Sequence, residues 1–459
     1  MNEQLRIDSL SVTNYRCFKK LEEPIHFQPD LTVLVARNGE GKTAILDALK
    51  VAFGTFTNSF SVTTSAHFHV SDVHIASLHE NINLGAVYPV SLNATGMIDG
   101  KLEKWSRMLQ KARGRTTTKD ARAVSNYGDR LWKKVNADEK DISLPLLAFY
   151  GTGRLWAEHR DMDDGAISPL AQTRFAGYEN ALSARSTYKQ VKNWLLEALK
   201  MEDSKIASST LPGELVSSQL AAIKNALQNI LGTEGWEKMH YNPFYKNEIV
   251  VINNFKERCG RLVSNINGAT ALPVSWLSDG VRAVFSMVAD IAYRCAKLNP
   301  QFKEKAAEST PGIVLIDEVD LHLHPSWQQK VLDTLQLAFP QIQFIVTTHS
   351  PQVVSSVPKE CVRIINEGKI VPFDTQTQGV ESQDILAQIF GTDPAPQHDP
   401  FVQMLNEYAK MEAAGKADSK EAQGLREQLI QHFGKQYPPF QRIEIHRNFF
   451  AGKKGGKNA

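Results

Sequence analysis

Several short groups of residues in this sequence have the types and spacing that phosphate chemistry requires. The stretch ARNGEGKT, residues 36–43, places Gly39 and Gly41 where backbone N–H groups can turn towards phosphate oxygens at the start of a helix. Lys42 would neutralise the terminal phosphates and Thr43 would hold Mg²⁺. The alternative is a Gly-rich turn before an ordinary helix, but a strand, a helix and Thr43 in register favour a nucleotide site.

Two adjacent carboxylates end a buried strand later in the chain. The run IVLIDE, residues 313–318, is apolar up to Asp317 and Glu318, and packing alone gives a strand end no reason to carry two acids. Asp317 is placed to hold the water shell of Mg²⁺, and Glu318 to orient or deprotonate an attacking water. The next buried strand, FIVTTHS, ends in His349. One strand–helix–strand crossover would bring both strand ends to the same sheet edge.

A third group lies at the predicted start of a helix. Ser278 and Asp279 of LSDG form an N-cap, and the apolar positions from Val281 to Cys295 recur along one face. A capped amphipathic helix explains this pattern by itself. The Ser278 hydroxyl and the Gly280 amide at a helix N-terminus would also make an anion site.

Hydrophobic periodicity predicts the elements that position these groups. Leu31–Ala36 is apolar and β-branched, as in a strand buried on both faces, and Ile45, Leu46, Leu49 and Phe53 then follow helical spacing. The other expected elements are two or three strands within 5–35, strands at 91–97, from 145 and near 250, helices within 170–235, a hairpin at 362–373, a short helix at 384–391 and two helices within 401–433.

Charge is distributed unevenly along the chain. Residues 101–134 carry 11 Lys and Arg against 3 Asp and Glu, although the net charge of the whole chain is only +2. We expect helix and loop rather than strand here, with Trp105, Tyr127 and Trp132 interleaved among the charges. A solvated helical face and a polyanion-binding surface explain the segment equally well. The nucleic-acid contacts of the second interpretation would be Lys104, Arg107, Lys111, Arg113 and Arg115.

Composition limits the class of protein. With 459 residues and 42% apolar content, the chain can bury one large core or two moderate ones. Its four cysteines are scattered without a CxxC pair, and the sequence shows neither a signal peptide nor a membrane-length apolar run. The histidines of 67–74, and the pair His322 and His324, lack further ligands nearby, which disfavours metal sites. We expect a cytoplasmic protein with reduced thiols.

The order of these groups resembles that in the ATP-binding-cassette (ABC) ATPases of the SMC, RecF and OLD-like branch. The resemblance is carried by AxNGxGKT, LSDG, the strand ending in Asp317 and Glu318, the Asp320 turn and TTHS. NYRCF before the phosphate loop and HLHP after the acids are similar to that branch rather than to transporter cassettes. The longer strings YGTGRLW, LSDGVRAVFSMVADIAYR and DILAQIFGTDPAP resemble more narrowly the ATPase subunits (PtuA) of Septu-type antiphage systems and of related retron-associated modules.

This resemblance implies an α/β fold, the P-loop head of an ABC ATPase with a mixed sheet, a three-layer core, an inserted helical lobe and a small C-terminal helical extension. The ATPase core would comprise residues 1–165 and 270–375, with a basic insertion at about 100–134. The helical lobe would comprise 166–269. Residues 376–459 would form C-terminal helices and a basic tail that docks on a partner.

The resemblance also implies a composite site for ATP and Mg²⁺, closed by two subunits. Lys42, Glu318 and His349 would be catalytic, with His349 sensing the γ-phosphate, while Thr43 and Asp317 would hold Mg²⁺. The nucleotide-binding residues would be Arg16, Arg37, Asn38, Gly39, Gly41, Lys42, Thr43 and Ala44 of one subunit, with Ser278 and Gly280 of the other.

Three departures from the pattern affect this assignment. Ala36 replaces the usual first Gly of the phosphate loop, which tightens the loop without removing an amide. Asp279 and Val281 stand where a transporter signature has Gly and Gln, and the acid would weaken γ-phosphate capture. No residue is identified for the Q-loop glutamine.

The implied function is that of an ATP-hydrolysing subunit of an antiphage complex, which assembles as a homo-oligomer through head-to-head pairs. Asp320 would communicate across the pair. Because no Asp-x-Asp follows the His349 strand to supply a nuclease site, we expect any nucleic-acid cleavage to come from another polypeptide. The resemblance implies that this partner is an HNH endonuclease (PtuB-like), and DNA is the other expected partner. The alternative is a RecF- or SMC-like ATPase that repairs or clamps DNA. A transporter subunit is disfavoured by NYRCF and HLHP.

Overall fold

The computed structural model describes most of the 459-residue chain. The described residues are 5–60, 66–77, 84–154, 173–183, 188–204, 213–232, 235–242, 248–253, 265–266, 269–393, 395–416 and 419–443. Two compact units make up the chain, Met1–Val380 and Glu381–Ala459. No helix in the described ranges is both long and apolar enough to cross a membrane.

The strands of the described residues, in chain order, are β1 (Leu5–Tyr15), β2 (Phe18–Lys20), β3 (Ile25–His26), β4 (Leu31–Ala36), β5 (Ile75–Ser77), β6 (Leu84–Ala86), β7 (Val90–Ile98), β8 (Lys101–Leu109), β9 (Leu146–Tyr150), β10 (Trp236–Asn242), β11 (Glu248–Asn253), β12 (Asn265–Ile266), β13 (Ala269–Pro273), β14 (Gly312–Ile316), β15 (Ile342–Thr348), β16 (Val362–Asn366) and β17 (Lys369–Val371).

The α-helices of the same residues are α1 (Lys42–Asn58), α2 (Arg122–Asn136), α3 (Tyr188–Ser204), α4 (Gly213–Leu231), α5 (Asp279–Leu298), α6 (Ala306–Ser309), α7 (Pro325–Gln328), α8 (Val331–Ala338), α9 (Pro351–Val354), α10 (Ser382–Gln388), α11 (Pro400–Ala413) and α12 (Lys420–Phe433).

A six-stranded sheet in the order β17-β16-β4-β15-β14-β9 forms the centre of the first unit. Strands β16, β4, β15, β14 and β9 are parallel, and β17 alone runs antiparallel, as the hairpin partner of β16. Every residue of β4, β14 and β15 is buried, as expected for parallel strands covered on both faces. The carboxyl ends of β4, β14 and β15 therefore lie side by side at one sheet edge.

Helix α1 packs between this sheet and a second, antiparallel sheet, so sheet, helix and sheet form three layers in the first unit. The second sheet has the order β2-β1-β7-β8, with β3 also paired to β1. Helix α1 contacts β1, β7 and β8 on one side and β4 and β15 on the other. Most of its residues are buried, since a helix between two sheets has little polar face.

A buried glutamine ties the two sheets together. The side-chain oxygen of Gln343 on β15 accepts the Ile7 N–H at 3.0 Å, and its amide donates to the carbonyls of Ile7 and Gln28 at 2.8 and 2.7 Å. Gln343 has no exposed surface, so these bonds satisfy polar groups that burial would otherwise leave unpaired.

The basic segment corrects one prediction. Its first nine residues, Lys101–Leu109, form strand β8 rather than helix and loop, and only α2 supplies the expected helix. Strand β8 pairs along its whole length with β7. Trp105, Arg107 and Leu109 alternate into the core, and because the middle one is charged, the two-residue period of a half-buried strand is hidden in the sequence.

The region predicted as a helical lobe also contains a sheet. Helices α3 and α4 lie within 170–235 as predicted, but β10, β11, β13 and β12 then pair into a four-stranded antiparallel sheet. Sequence periodicity indicates one strand of this sheet, near residue 250. The weak alternation of these short strands gives little periodic signal. The limits of an ATPase core and of an inserted lobe stay a prediction.

The second unit is helical in its described part. Helices α11 and α12 pack around a small core in which Tyr408 stacks on Phe440, with ring centroids 5.8 Å apart. Leu405, Ala422 and Leu429 complete that core. The basic tail from residue 446 and its two Phe residues lie outside the described residues.

Candidate functional site: a phosphate loop and an acidic sheet edge

The phosphate loop connects β4 to α1 at the sheet edge. Gly39 and Gly41 have φ angles of 84° and 98°, values that strongly favour glycine. A Cβ on Gly41 would lie 2.5 Å from the Phe18 ring and 2.6 Å from Cys17 Sγ. Both the backbone angle and the lack of space therefore restrict this position to glycine. Ala36 is the last residue of β4 and pairs with Ile365. Its extended backbone accepts a Cβ, which explains why the loop tolerates alanine there.

Lys42 lies at the first position of α1 and is 6% exposed. Its Nζ donates to the carbonyls of Ala36 and Arg37 at 2.8 and 3.2 Å. Burial lowers the pKa of Lys42, and the nearby carboxylates of Asp317 and Glu318 oppose this shift. The ammonium is thereby held inside the loop, with acids facing it across the sheet edge.

Asp317 and Glu318 follow β14 directly and face the loop. The Thr43 hydroxyl donates to Asp317 Oδ2 at 2.9 Å, which brings together the two predicted Mg²⁺ ligands. Asp317 is 4% exposed, and Glu318 is partly exposed with a φ of 49°. Such a backbone angle is costly for a residue other than glycine, and strained backbone of this kind clusters at functional sites.

A threonine that sequence reasoning missed holds both acids. The Thr347 hydroxyl donates to Asp317 Oδ1 at 2.6 Å and accepts the Glu318 N–H at 2.8 Å. The Thr347 carbonyl also accepts the Val319 N–H at 2.9 Å. One residue of β15 therefore fixes the turn that carries the acids. Its signal in the sequence is its position two residues before His349, in TTHS.

The neighbouring Thr348 acts in the same way on the next turn. Its hydroxyl donates to Asp320 Oδ1 and accepts the Ser350 N–H at 2.9 Å. His349 lies between these bonds and is partly exposed at the sheet edge. Burial lowers the pKa of His349, and Lys42 lowers it further, while the nearby acids oppose the shift. The lowered pKa favours the neutral imidazole, which can both accept and donate a hydrogen bond.

The LSDG segment forms the start of α5, as predicted, but without the predicted side-chain cap. Ser278 occupies the N-cap position, yet its side chain makes no capping hydrogen bond. It is exposed, so its hydroxyl faces outward. Asp279 pairs with Arg282 at 2.7 Å, which offsets the charge that would oppose γ-phosphate capture. A Cβ on Gly280 would lie 2.4 Å from the His322 carbonyl oxygen, so only glycine fits against that turn.

Arg16 lies in the turn between β1 and β2, beside the phosphate loop. Its guanidinium pairs with Asp47 of α1 at 2.6 Å and with Asp72 at 2.8 Å. The adjoining Cys17 and Phe18 pack against Gly41. Arg16 thus ties the first hairpin to the helix that follows the phosphate loop, and direct contact with a nucleotide stays a prediction.

Arg107 does not fit the predicted nucleic-acid surface. Its side chain has no exposed area, and it donates to the carbonyls of Thr117 and Val51 at 2.6 and 2.8 Å. Trp105 and Tyr127 are likewise buried, so of the three interleaved aromatic residues Trp132 is the one that is substantially exposed. The exposed basic residues of the predicted set are Lys104, Lys111, Arg113 and Arg115.

The histidines have local structural contacts. His69 caps a short turn with Asp72, and His74 Nδ1 bonds to the Arg16 carbonyl at 2.6 Å. His324 accepts the Ser326 N–H at the start of α7, consistent with a structural turn. Within the described ranges there is no group of three or more His, Cys, Asp or Glu residues arranged to hold a metal ion.

The residues at this edge fit a nucleotide with its magnesium ion. Asp317 and the Thr43 hydroxyl are hard oxygen donors side by side, the kind of ligand that Mg²⁺ prefers. The open space beside Gly39 and the turned backbone at Gly41 leave room for phosphate oxygens. Mg²⁺ bound there would neutralise phosphate charge. Lys42 would bind phosphate oxygens, Glu318 would orient a water molecule and take its proton, and neutral His349 would hydrogen-bond near the terminal phosphate.

Comparisons with known proteins agree with this chemistry. A family model described as an AAA domain matches residues 9–233, and a second, described as an AAA domain, putative AbiEii toxin, Type IV TA system, matches 264–355. The chain is similar to the retron Ec83 probable ATPase of Escherichia coli, with 27% identity over 94% of this chain and 84% of that one.

Two further relatives match smaller shares of the chain. The Septu protein PtuA of Bacillus mycoides is 44% identical over 16% of this chain and 10% of that one. The DNA replication and repair protein RecF of Streptococcus pneumoniae is 23% identical over 79% of this chain and 98% of that one. The chain is therefore an ATP hydrolase with a phosphate-binding loop, similar to retron ATPases, to Septu PtuA proteins and to RecF.

Proposed function

We propose that this protein is the ATP-hydrolysing subunit of an antiphage defence complex. It works as a homo-oligomer in which each ATP site is completed by a neighbouring subunit, and it regulates an HNH endonuclease partner. ATP and Mg²⁺ bind at the phosphate loop and Asp317, and the Ser278 and Gly280 groups of the neighbour complete the γ-phosphate contacts.

The observation that carries the proposal is the division of the site. Thr43, Asp317 and Lys42 meet at one sheet edge, whereas the Ser278 hydroxyl, at the outward-facing start of α5, is exposed and available to another subunit. The similarity to a retron ATPase over 94% of the chain supports a role in defence, and the similarity to PtuA supports a nuclease partner.

Replacing Glu318 by Gln tests the assembly. The variant keeps the Mg²⁺ ligands and the phosphate loop but loses the base, so ATP-bound assemblies should accumulate and turnover should fall. Native mass spectrometry with and without ATP measures the assembly, and phosphate release measures turnover. Lys42→Ala is the control, because it should prevent the ATP-dependent change in mass. Unchanged turnover in Glu318→Gln would remove Glu318 as the base.

The partner is tested by co-expression. The proposal predicts that the neighbouring reading frame encodes an HNH endonuclease and that this endonuclease co-purifies with the chain. DNA cleavage by the complex should change with ATP and with Glu318→Gln. Removing residues 444–459 tests docking through the basic tail. The truncated chain keeps Phe440, which is 3% exposed within the helical core, so the truncation leaves that core intact. Complex formation that survives this truncation contradicts docking through the tail.

A second candidate is a RecF-like ATPase that clamps DNA by itself, and the RecF similarity over 79% of the chain favours it. It predicts ATP-dependent DNA binding by the isolated protein and no effect of an HNH partner on phage infection. The two functions separate in a plaque assay, in which Lys42→Ala should abolish protection only if the protein acts in defence.

A further inference from the structure

Three side chains connect the end of β9 to the middle of α5. Tyr150 Oη donates to Asp290 Oδ2 at 2.7 Å, and Arg294 Nε donates to the same oxygen at 2.8 Å. Asp290 and Arg294 are each 4% exposed. Bonds of this kind to a buried carboxylate are short, strong and directional. They hold β9 and α5 in one relative position.

One end of this link lies at the catalytic acids. The Tyr150 carbonyl accepts the Asp317 N–H at 2.8 Å, and in the parallel pairing of β9 with β14 Tyr150 stands opposite Ile316. Tyr150 therefore bonds to the Asp317 backbone through its own backbone and to α5 through its phenol.

The other end of the link lies in the helix that begins with the LSDG segment. Asp290 and Arg294 are on α5, which starts at Asp279. Arg294 Nη1 also donates to the carbonyls of Gly177 and Glu179 at 2.9 and 3.0 Å, which fixes the guanidinium from a third direction. Because desolvation offsets most of the attraction in a buried ion pair, this group supplies geometric constraint more than stability.

We propose that Tyr150 is a positioning residue that couples the two half-sites carried by one subunit. It keeps Ser278 and Gly280, which the subunit offers to its neighbour, in register with Asp317 of the subunit's own ATP site. The inference rests on the composite site proposed above. It assigns to the Tyr150 phenol an effect on ATP turnover in the neighbouring subunit.

Complementary mutants separate the two half-sites. A Glu318→Gln subunit supplies a normal LSDG segment but no base, and a Ser278→Arg subunit supplies normal acids but a blocked LSDG segment. Mixing the two should restore turnover at one site, which takes its acids from the Ser278→Arg subunit and its LSDG segment from the Glu318→Gln subunit. Tyr150→Phe is then added to one subunit at a time, and kcat and KM for ATP are measured for each mixture.

On the Glu318→Gln subunit, Tyr150→Phe should lower kcat about tenfold with little change in KM, the loss expected for one hydrogen bond to a charged group. On the Ser278→Arg subunit it should leave kcat nearly unchanged, because the backbone carbonyl that holds Asp317 remains. Tyr178→Phe is the matched control. Its hydroxyl is buried and donates to the Pro145 carbonyl at 2.8 Å, without reaching either half-site.

The outcomes distinguish the two proposals. An inactive mixture of the parent mutants overturns the composite site, and this inference with it. An active mixture in which Tyr150→Phe on the Glu318→Gln subunit has no effect overturns the inference alone. Equal losses in both positions, or the same loss with Tyr178→Phe, show a general packing role and also overturn it.

Discussion

Replacing Thr347 by Val should reduce both catalysis and stability, through the loss of one buried hydroxyl. Val keeps the volume and the branched Cβ of a residue that has no exposed surface in β15, so packing and strand preference are retained. The change removes the hydroxyl that donates to Asp317 Oδ1 at 2.6 Å and accepts the Glu318 N–H at 2.8 Å.

The magnitude follows from the two hydrogen bonds that this change removes. A buried polar group that loses its hydrogen-bond partner costs about 1–3 kcal/mol, and two groups each lose one partner here, so we expect ~2–6 kcal/mol less stability. The Asp317 and Glu318 turn also loses its anchor to β15. Because a displacement of about 1 Å can cost roughly 100-fold in rate, we expect kcat to fall by about that factor.

Phosphate release gives kcat and KM, and urea unfolding gives the stability. Thr347→Ser should recover most of kcat, since it restores the hydroxyl. Thr32→Val is the control, because that hydroxyl, equally buried on β4, accepts the Gln28 N–H at 2.8 Å and does not hold the acids. A folded Thr347→Val protein with near-normal kcat, or an equal loss of kcat in Thr32→Val, would refute this reasoning.

Three other predictions follow from the site. Gly280→Ala places a Cβ 2.4 Å from the His322 carbonyl oxygen, so ATP-dependent assembly should be abolished while a fluorescent ATP analogue still binds; retained assembly contradicts this. Nuclear magnetic resonance should give His349 a pKa below its usual 6.5, because of burial and Lys42, and Lys42→Met should raise that pKa. Because the unfolded wild-type chain binds more protons at this residue than the folded one, the contribution of His349 to stability is present above about pH 6.5 and is lost as pH falls through the folded pKa. Neutralising the exposed basic residues should reduce the slope of log K for DNA binding against log salt concentration by about 0.9 for each phosphate that the protein no longer neutralises. Arg107→Met should instead chiefly lower the unfolding temperature. An unaltered slope would show that the segment is a solvated surface and does not bind DNA. The exposed set is Lys104, Lys111, Arg113 and Arg115.

The strongest predictions from sequence concern features that a short stretch of chain encodes by itself. The phosphate loop of 36–43 needs a strand, two glycines and a helix in immediate succession, and the structure has them there. The acids after β14 and His349 after β15 are expected at one edge because parallel strands joined by a crossover must emerge on the same side. The hairpin of β16 and β17 is likewise indicated by its own turn residues.

Tertiary structure decided which side chains serve the site and which serve the core. Arg107 has the sequence signal of a surface cation, yet it is buried because the pairing of β8 with β7 turns alternate residues inward and Val51 and Thr117 offer carbonyls. Thr347 resembles any β-branched strand residue until β15 lies beside β14 and brings its hydroxyl to both acids. Tyr150 and Asp290 are 140 residues apart and meet only through packing. Local patterns specify which chemistry is present, whereas contacts between distant segments depend on strand register and helix packing, which no single stretch of sequence contains.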